Sequence, residues 1–235
     1  MNRIQVSMIA MILIVIASSS FAQPPGRPGG PRRPRTEIPV YENPLQGQDE
    51  AEQQILDGLM KMREGKRFAN VSTNDGRLLR MLTETTNAKR IVEIGTSTGE
   101  SAVWFCLGLR KTDGHLYTHE ISPEMVKTAS DNFKMVGVDK LITIIEGDAH
   151  ETVKQHKEAK EPIDILFLDA DKAGYIDYLD KLMPLVRPGG LIIAHNMVYP
   201  NPDPDYIKAI TTDKNLETQF LLMEGAGLGV TLKKR

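Results

Sequence analysis

The chain of 235 residues contains a single cysteine, Cys106. One cysteine cannot form an internal disulfide, and it cannot supply the several thiolates of a cysteine-based metal site. Cys106 lies on the apolar side of a predicted helix, which indicates a small core residue. A disulfide scaffold and a cysteine-ligated zinc site are therefore excluded.

The sequence also lacks an excess of charge of either sign. Its 29 Lys and Arg residues and 31 Asp and Glu residues give a formal net charge of −2. Proteins that bind nucleic acid carry a basic surplus, so the composition predicts no nucleic-acid partner. One local basic cluster lies among prolines and is interpreted as part of a solvated tether: Arg27, Arg32, Arg33 and Arg35.

No apolar run is long enough for a stable membrane span. The N-terminal run, residues 4–17, has about 14 residues, whereas a spanning helix needs roughly 20. It follows Arg3 and precedes the small-residue pattern of residues 20–22, which is typical of a secretory signal peptide over residues 1–22. We therefore expect export to the periplasm or the medium. An uncleaved signal would instead leave a membrane anchor.

Residues 23–48 are dense in proline, glycine and arginine. Such a segment cannot bury enough apolar surface to order itself, so it is predicted to be a semi-extended linker. The globular domain is expected over residues 49–235, and no internal repeat is present in it.

Apolar residues recur at helical spacing in six segments of this domain: residues 51–63, 76–85, 101–109, 123–136, 151–158 and 175–182. Short apolar strands are predicted between and after them, at residues 91–94, 115–119, 142–146, 163–168 and 191–194, followed by a hairpin of residues 220–223 and 229–233. Asn74 or Asp75 is expected to cap the second helix, and residues 188–190 to form a tight turn into the fifth strand. The alternation predicts an α/β fold, a Rossmann-like three-layer sandwich with a mostly parallel seven-stranded sheet and a C-terminal antiparallel hairpin.

The stretch IVEIGTSTGES, residues 91–101, joins the first strand to a helix through a glycine turn. Gly95 and Gly99 permit a close approach of a ligand to the backbone, and free N–H groups at a helix start favour anionic groups. The Glu93 carboxylate could bind a cationic group, such as the amino group on the methionine half of S-adenosylmethionine.

Three other interpretations of this turn are weighed against that one. A dinucleotide site would have G-x-G-x-x-G, but Ser97 occupies the middle position and the spacing is G-x-x-x-G. A P-loop would need a following Gly-Lys-Ser/Thr, which is absent. The third is an ordinary strand-to-helix turn that binds nothing.

Acidic residues follow the second and third strands, at the sheet edge where an open α/β sheet binds ligands. Glu120 could bind both hydroxyls of a ribose, or it could be a surface glutamate that begins a helix. Asp148 and Ala149 could line an adenine pocket. Asp148 could also cap the next helix, and the two roles are compatible.

Polar residues after the fourth and fifth strands can converge if these strands are neighbours. Asp169, His195 and Asn196 carry groups that bind divalent ions; oxygen ligands favour Mg²⁺ or Ca²⁺, and a histidine shifts the preference toward Mn²⁺, Fe²⁺ or Zn²⁺. The alternative for His195 is a neutral histidine hydrogen-bonded at the pocket rim. Lys172 could act as a general base if burial or a nearby cation lowers its pKa. Its alternative is a salt bridge with one of two aspartates, Asp171 or Asp177.

The chain resembles the class I S-adenosylmethionine-dependent O-methyltransferases, and within them the cation-dependent group that includes the caffeoyl-CoA and catechol O-methyltransferases. The likeness covers residues 68–235. The segments that carry it occur in this order: NDGRLLRML, VEIGTSTGES, YTHEISPE, EGDA, FLDADKAGYIDYL, LVRPGGLI and GVTLKKR.

The resemblance implies an enzyme that moves a methyl group from S-adenosylmethionine to a hydroxyl of a small, catechol-like acceptor, with a divalent cation (Mg²⁺, Ca²⁺ or Mn²⁺) assisting. It implies a homodimer by analogy only. The cofactor-binding residues that it implies are Val71, Glu93, Gly95, Thr96, Ser101, Glu120, Asp148, Ala149 and Asp169. The catalytic base that it implies is Lys172 or His195, and the metal ligands that it implies are Asp169, His195 and Asn196.

Two departures from the family pattern limit this transfer. The family usually has Asp-Asn at the end of the fifth strand, where this chain has His195 and Asn196. The site loses up to one negative charge, so its affinity for Mg²⁺ should fall. Three outcomes are open: the site binds a different metal, it binds a metal weakly, or it binds no metal and His195 is the base. Residues 197–205 also differ, so acceptor specificity does not transfer. A non-catalytic exported binder that keeps the fold is the competing hypothesis, and a nicotinamide-dependent oxidoreductase is a third.

Overall fold

A computed structural model describes residues 43–64, 70–198, 202–222 and 226–235. The predicted signal peptide and the larger part of the predicted linker lie outside these residues and stay predictions. From Pro44 onward the chain forms one compact unit. No helix within the described ranges is both long and apolar enough to cross a membrane.

Helices and strands alternate through this unit. The α-helices are α1 (Glu50–Met62), α2 (Thr73–Thr85), α3 (Glu100–Thr112), α4 (Pro123–Val136), α5 (Ala149–Thr152), α6 (Tyr175–Leu182) and α7 (Pro204–Thr212). The strands are β1 (Arg90–Ile94), β2 (His115–Glu120), β3 (Ile142–Glu146), β4 (Ile163–Leu168), β5 (Val186–His195), β6 (Leu216–Leu221) and β7 (Leu228–Lys233). Single 3₁₀ turns or short 3₁₀ segments lie at Asp139–Leu141, Val153–Glu158, Lys172–Gly174 and Met183–Leu185.

The seven strands form one sheet in the order β3-β2-β1-β4-β5-β7-β6. The first five strands pair in parallel, whereas β7 runs antiparallel to both of its neighbours, β5 and β6. The predicted mostly parallel seven-stranded sheet with a C-terminal antiparallel hairpin is therefore confirmed.

Apolar side chains cover both faces of the sheet, as expected for parallel strands between two helical layers. In β1, Ile91 belongs to the core that packs against α1 to α4, and Val92 belongs to the core that packs against α6 and α7. The same alternation recurs in β4, where Phe167 and Leu168 lie on opposite faces. The three-layer sandwich is thus a direct consequence of consecutive apolar residues in the central strands.

The chain reverses direction across the sheet between β1 and β4. It builds β2 and β3 on one side of β1, and then β4 and β5 on the other side. Their carboxyl ends share one edge, because Ile94 pairs with both His119 and Leu168. An open sheet binds its ligand at such a point, where the loops after neighbouring strands separate.

Helix α2 begins earlier than predicted, and Ser72 is its N-terminal cap. The Ser72 side chain accepts from the Asp75 backbone N–H, and the Asp75 carboxylate accepts from the Ser72 backbone N–H. This reciprocal pair is a capping box, so Asp75 lies inside the first turn. The expectation that Asn74 or Asp75 would be the cap was wrong, because Ser72 supplies the cap three residues before Asp75.

Further differences lie in the second half of the chain. The predicted turn at residues 188–190 is an irregularity inside β5, because Val186 pairs with Ile163 and Leu191 with Ile165. The helix predicted at residues 151–158 is α5 followed by a 3₁₀ segment. Helix α7 was not predicted, although Asp203 caps it and Pro204 begins it, which is a common helix start. The first hairpin strand is β6, which begins four residues before the predicted start at Phe220.

Two glycines at helix ends allow the energetic cost of overpacking to be separated from the cost of backbone strain. Gly99 and Gly137 have φ of +86° and +79°. A Cβ on Gly99 would lie 2.2 Å from the Phe133 ring, whereas one on Gly137 would meet nothing within 4 Å. We expect Gly137→Ala to lower the free energy of unfolding by about 1–2 kcal/mol through left-handed strain. Gly99→Ala should cost about 1–3 kcal/mol more through overpacking. Urea unfolding measures both, and equal losses would contradict the packing argument.

Candidate active site

A cavity of about 480 Å³ opens at the carboxyl edge of the sheet, beside the reversal between β1 and β4. Five of the predicted site residues form part of its wall: Gly95, Glu120, Asp148, Ala149 and Asp169. They come from the segments that follow β1, β2, β3 and β4, so the parallel register brings them together. The volume is within the range of about 300–1,000 Å³ that is common for small-molecule sites.

The glycine turn after β1 forms the floor of this cavity. Gly95, Ser97 and Gly99 all have positive φ, which lets the turn reverse tightly before α3 begins. A Cβ on Gly95 would lie 2.6 Å from the backbone oxygen of Asp169. The loops after β1 and β4 are therefore in backbone contact, and only glycine fits at position 95.

Glu120 holds the turn from the end of β2. Its Oε2 accepts from the Ser97 N–H at 2.8 Å, and its Oε1 accepts from the Ser122 N–H at 2.9 Å. Only 9% of Glu120 is exposed, so it is not the surface glutamate considered from the sequence. Each carboxylate oxygen retains a second lone pair, which can accept from a hydroxyl in the cavity.

Glu93 lies behind the turn and does not line the cavity wall. Its Oε1 accepts from Ser101 Oγ at 2.5 Å, and its Oε2 accepts from Thr118 Oγ1 at 2.6 Å. Burial raises the pKa of Glu93 to about 7, against the opposing effect of these two hydrogen bonds. The position follows from strand alternation, because Glu93 points to the same face as Ile91, toward α3.

The remaining predicted cofactor residues also form a supporting layer. Thr96 Oγ1 lies 2.6 Å from Thr118 Oγ1, and Ser101 is engaged with Glu93. The Val71 carbonyl accepts from Arg63 Nη2 at 3.2 Å, and the Val71 side chain is buried. The structure therefore divides the predicted cofactor residues into a wall and a layer that supports it.

The segment after β3 contributes a second part of the wall. Asp148 both lines the cavity and caps α5 by accepting from the His150 N–H at 2.9 Å. The His150 ring stacks on Tyr178 with the ring centroids 4.5 Å apart. A hydrogen bond to Asp177 raises the pKa of His150 against the effect of burial. Sequence reasoning missed His150 and Tyr178 as wall residues, although His150 directly follows the predicted adenine pair.

Lys172 and Asp169 form an ion pair at the end of β4. Lys172 Nζ lies 3.1 Å from Asp169 Oδ1 and donates to Tyr175 Oη at 2.7 Å. The salt bridge considered with Asp171 or Asp177 is not formed, because the 3₁₀ turn after Asp171 brings Lys172 back to the strand end. Burial lowers the pKa of Lys172, and the nearby Asp169 charge opposes this shift.

His195 is buried between two carboxylates. Its Nδ1 lies 3.0 Å from Asp169 Oδ2, and its Nε2 lies 3.5 Å from Asp75 Oδ2. Burial alone would lower the pKa of His195, but the hydrogen bonds to Asp169 and Asp75 outweigh it and raise the pKa to about 9. The two carboxylates thus favour the protonated form over the neutral histidine considered from the sequence. Asp75 was missed as a site residue, because a contact between α2 and β5 leaves no local pattern.

The predicted metal ligands do not fit a divalent ion in this arrangement. Asp169 directs one oxygen to Lys172 and the other to His195, so a divalent ion there would meet two positive groups. Across the described ranges, no three His, Cys, Asp or Glu side chains are grouped as metal ligands would be. Asn196 follows β5 with a φ of +61°. The Mg²⁺, Ca²⁺ or Mn²⁺ expected from the resemblance is not supported by this donor set.

Comparisons with known proteins agree with the geometry. A family model described as O-methyltransferase matches residues 47–217. A catechol O-methyltransferase of Niastella koreensis is 36% identical over 130 residues, which are 55% of this chain and 58% of that protein. Tapetum-specific methyltransferase 1 of Arabidopsis thaliana is 33% identical over 149 residues, 60% of this chain and 64% of that one. The chain thus spans less than two thirds of the length of these curated relatives.

Solved structures extend the likeness to most of the fold. An O-methyltransferase from Bacillus cereus, in complex with SAH, superposes with a TM-score of 0.67 and is 25% identical. The superposition covers 81% of this chain and 93% of that one. A solved structure from Klebsiella pneumoniae superposes with a TM-score of 0.66 at 28% identity, over 80% of this chain and 91% of that one.

The raised pKa of Glu93 predicts a pH-dependent stability. Between its ordinary value of 4.5 and about 7, the folded protein binds one proton that the unfolded chain has lost. The free energy of unfolding should therefore fall as pH rises through this window, by up to about 3 kcal/mol from this group. Glu93→Gln removes the titration and should flatten the slope, which urea unfolding at several pH values measures. Glu124→Gln, an exposed control, should keep the parent slope; a parent slope that Glu93→Gln leaves unchanged would refute the assignment.

Proposed function

Because this chain belongs to the O-methyltransferase family, we propose that it transfers a methyl group from S-adenosylmethionine to a hydroxyl of a small-molecule acceptor. The observation that carries the proposal is the joint placement of the glycine turn, Glu120, Asp148 and Asp169 in one wall. At one end of the cavity, carboxylate oxygens can accept hydrogen bonds from the ribose hydroxyls, and at the other end the Asp169 carboxylate can face the sulfonium.

Glu120 and the segment after β3 suit the adenosine half of the cofactor. Two backbone N–H groups fix the Glu120 carboxylate, so its free lone pairs are preorganised for the two ribose hydroxyls. Ala149 leaves room beside Asp148 for a flat base, and Ile121 offers an apolar surface on the same wall. Preorganisation of this kind lowers the entropy that binding must offset.

The cationic sulfonium suits the other end of the cavity. Asp169 lines the wall there, and its carboxylate attracts a cationic group. Glu93 contributes from behind the turn, because a bound cation would favour its ionised form. We therefore assign Glu93, Thr96 and Ser101 to holding the turn, rather than to direct contact with the cofactor.

Lys172 is the group we assign as general base. In the transfer, an acceptor oxygen attacks the sulfonium methyl carbon, the carbon–sulfur bond breaks, and S-adenosylhomocysteine leaves as a neutral sulfide. Lys172 is charged in its ion pair with Asp169, and burial lowers its pKa, which makes the release of its own proton easier. The hydroxyl proton then passes to the neutral Lys172 Nζ. Alignment of the acceptor oxygen with the methyl carbon in the cavity supplies a further part of the rate enhancement.

The proposal has three finer parts. The acceptor is catechol-like, the chain is exported through residues 1–22, and it forms a homodimer. Support for a catechol comes from the likeness to the Niastella koreensis protein. Incubation of the chain with labelled S-adenosylmethionine and a panel of catechols tests it by label transfer. Binding of the cofactor without transfer to any acceptor would indicate the non-catalytic binder instead.

Glu120→Gln tests the ribose assignment. The amide loses one acceptor oxygen and the negative charge, so we expect the dissociation constant for S-adenosylhomocysteine to rise about 10–100-fold. Calorimetric titration measures this constant. Glu124→Gln changes the charge of an exposed residue four positions later and should bind like the parent. The assignment fails if both variants bind equally well.

Lys172→Met tests the base. We expect kcat to fall about 10²–10⁴-fold, because no other group takes the acceptor proton, while the affinity for S-adenosylhomocysteine stays close to that of the parent. Lys127→Met, an exposed control on α4, should keep full turnover. Undiminished turnover of the Lys172 variant would exclude Lys172 as the base.

A further inference from the structure

Asp75, His195 and Asp169 join three elements that are far apart in the sequence. Asp75 lies in the first turn of α2, Asp169 follows β4, and His195 ends β5. We propose that this carboxylate–imidazole–carboxylate bridge takes the place of the divalent ion, so that methyl transfer by this chain needs no metal and Asp75 is a positioning residue. The inference rests on the proposed methyl transfer.

The first support is the geometry of the bridge. Carboxylates only accept hydrogen bonds, and both ring nitrogens of His195 face carboxylate oxygens, at 3.0 Å and 3.5 Å. Both nitrogens are therefore donors. Only 4% of His195 is exposed, so water does not compete strongly with these contacts.

The second support is that each end of the bridge is itself fixed. Ser72 donates to Asp75 Oδ2 through its hydroxyl at 2.8 Å and its backbone N–H at 3.3 Å. Asp75 is thus held by the start of α2. On the strand side, Tyr175 Oη donates to the backbone oxygens of Leu168 and His195 at 2.9 Å and 3.2 Å, which ties the ends of β4 and β5 together.

The third support is the local balance of charge. Two carboxylates, Asp75 and Asp169, face two positive groups, Lys172 and His195. A divalent ion bound to Asp169 would add two charges beside both positive groups, and it would displace the contacts that orient them. The bridge already does for Asp169 what an ion would do, because it fixes this carboxylate in the cavity wall. The other oxygen of the Asp169 carboxylate in turn fixes Lys172.

The position of His195 makes the inference testable by a single exchange. The family resemblance implies Asp at this place, and His195→Asp removes the imidazole and adds a carboxylate beside Asp169 and Asn196. We expect this variant to acquire Mn²⁺ binding and a methyl transfer that requires the ion. His115→Asp makes the same exchange at the opposite edge of the sheet and should do neither.

The deciding experiment uses the full chain freed of metal by dialysis against EDTA. Calorimetric titration with MnCl₂ and MgCl₂ is expected to show no stoichiometric site in the parent, and EDTA should leave its methyl transfer unchanged. A stoichiometric Mn²⁺ site that Asp169→Ala abolishes, or loss of parent turnover in EDTA, would overturn the inference and leave the proposed methyl transfer standing. The metal titration of the parent decides the question even if His195→Asp does not fold or if no acceptor is turned over.

Asp75→Asn separates a positioning role from a merely structural one. The amide keeps an oxygen for the Ser72 contacts but loses the charge that faces His195. We expect kcat to fall about tenfold, the order of one charge-assisted hydrogen bond, with unchanged affinity for S-adenosylhomocysteine and an unchanged unfolding midpoint. A drop in stability without a drop in kcat would show that Asp75 serves only the helix.

Discussion

The site depends on one close approach of two backbones. Where the sheet reverses direction between β1 and β4, the Gly95 position lies so near the Asp169 carbonyl that no side chain fits. This contact holds the glycine turn against the loop after β4, and it sets the distance between Glu120 on one side and the Asp169 cluster on the other. A larger residue would separate the loops and open the cavity.

Behind this contact, the site is built in two layers. The wall residues present oxygens and an apolar surface to the cavity, whereas Glu93, Ser101 and Thr118 form a buried network beneath the turn. A buried polar network rigidifies its surroundings only when every member has a partner, and here both Glu93 oxygens have one. The free-energy cost of burying the Glu93 carboxylate appears as its raised pKa. In return, the network keeps the shape of the glycine turn fixed.

A second polar cluster sits at the ends of β4 and β5. His195 lies there between two carboxylates, Asp75 and Asp169. The two carboxylates of this cluster already face positive groups, Lys172 and His195, so a further cation would meet like charge.

Most of the fold could be predicted from the sequence, because parallel strands buried on both faces and capped helices leave local patterns. Helix α7 was missed even though Asp203 and Pro204 carry a start signal, and the irregularity in β5 was taken for a turn. Five wall residues were predicted from their places at strand ends, whereas His150 and Tyr178 were missed.

The direction of the Glu93 side chain was not predicted, although strand alternation relative to Ile91 contains that information. The partnership of Asp75 with His195 depends on how α2 packs beside β5, and no sequence spacing encodes it.

A crystal structure of the chain with S-adenosylhomocysteine tests the account most directly. The account predicts that both ribose hydroxyls lie about 2.5–3.0 Å from the Glu120 carboxylate oxygens, with the sulfur on the Asp169 side of the Gly95 turn. A ligand bound outside this cavity, or a ribose out of reach of Glu120, would contradict it.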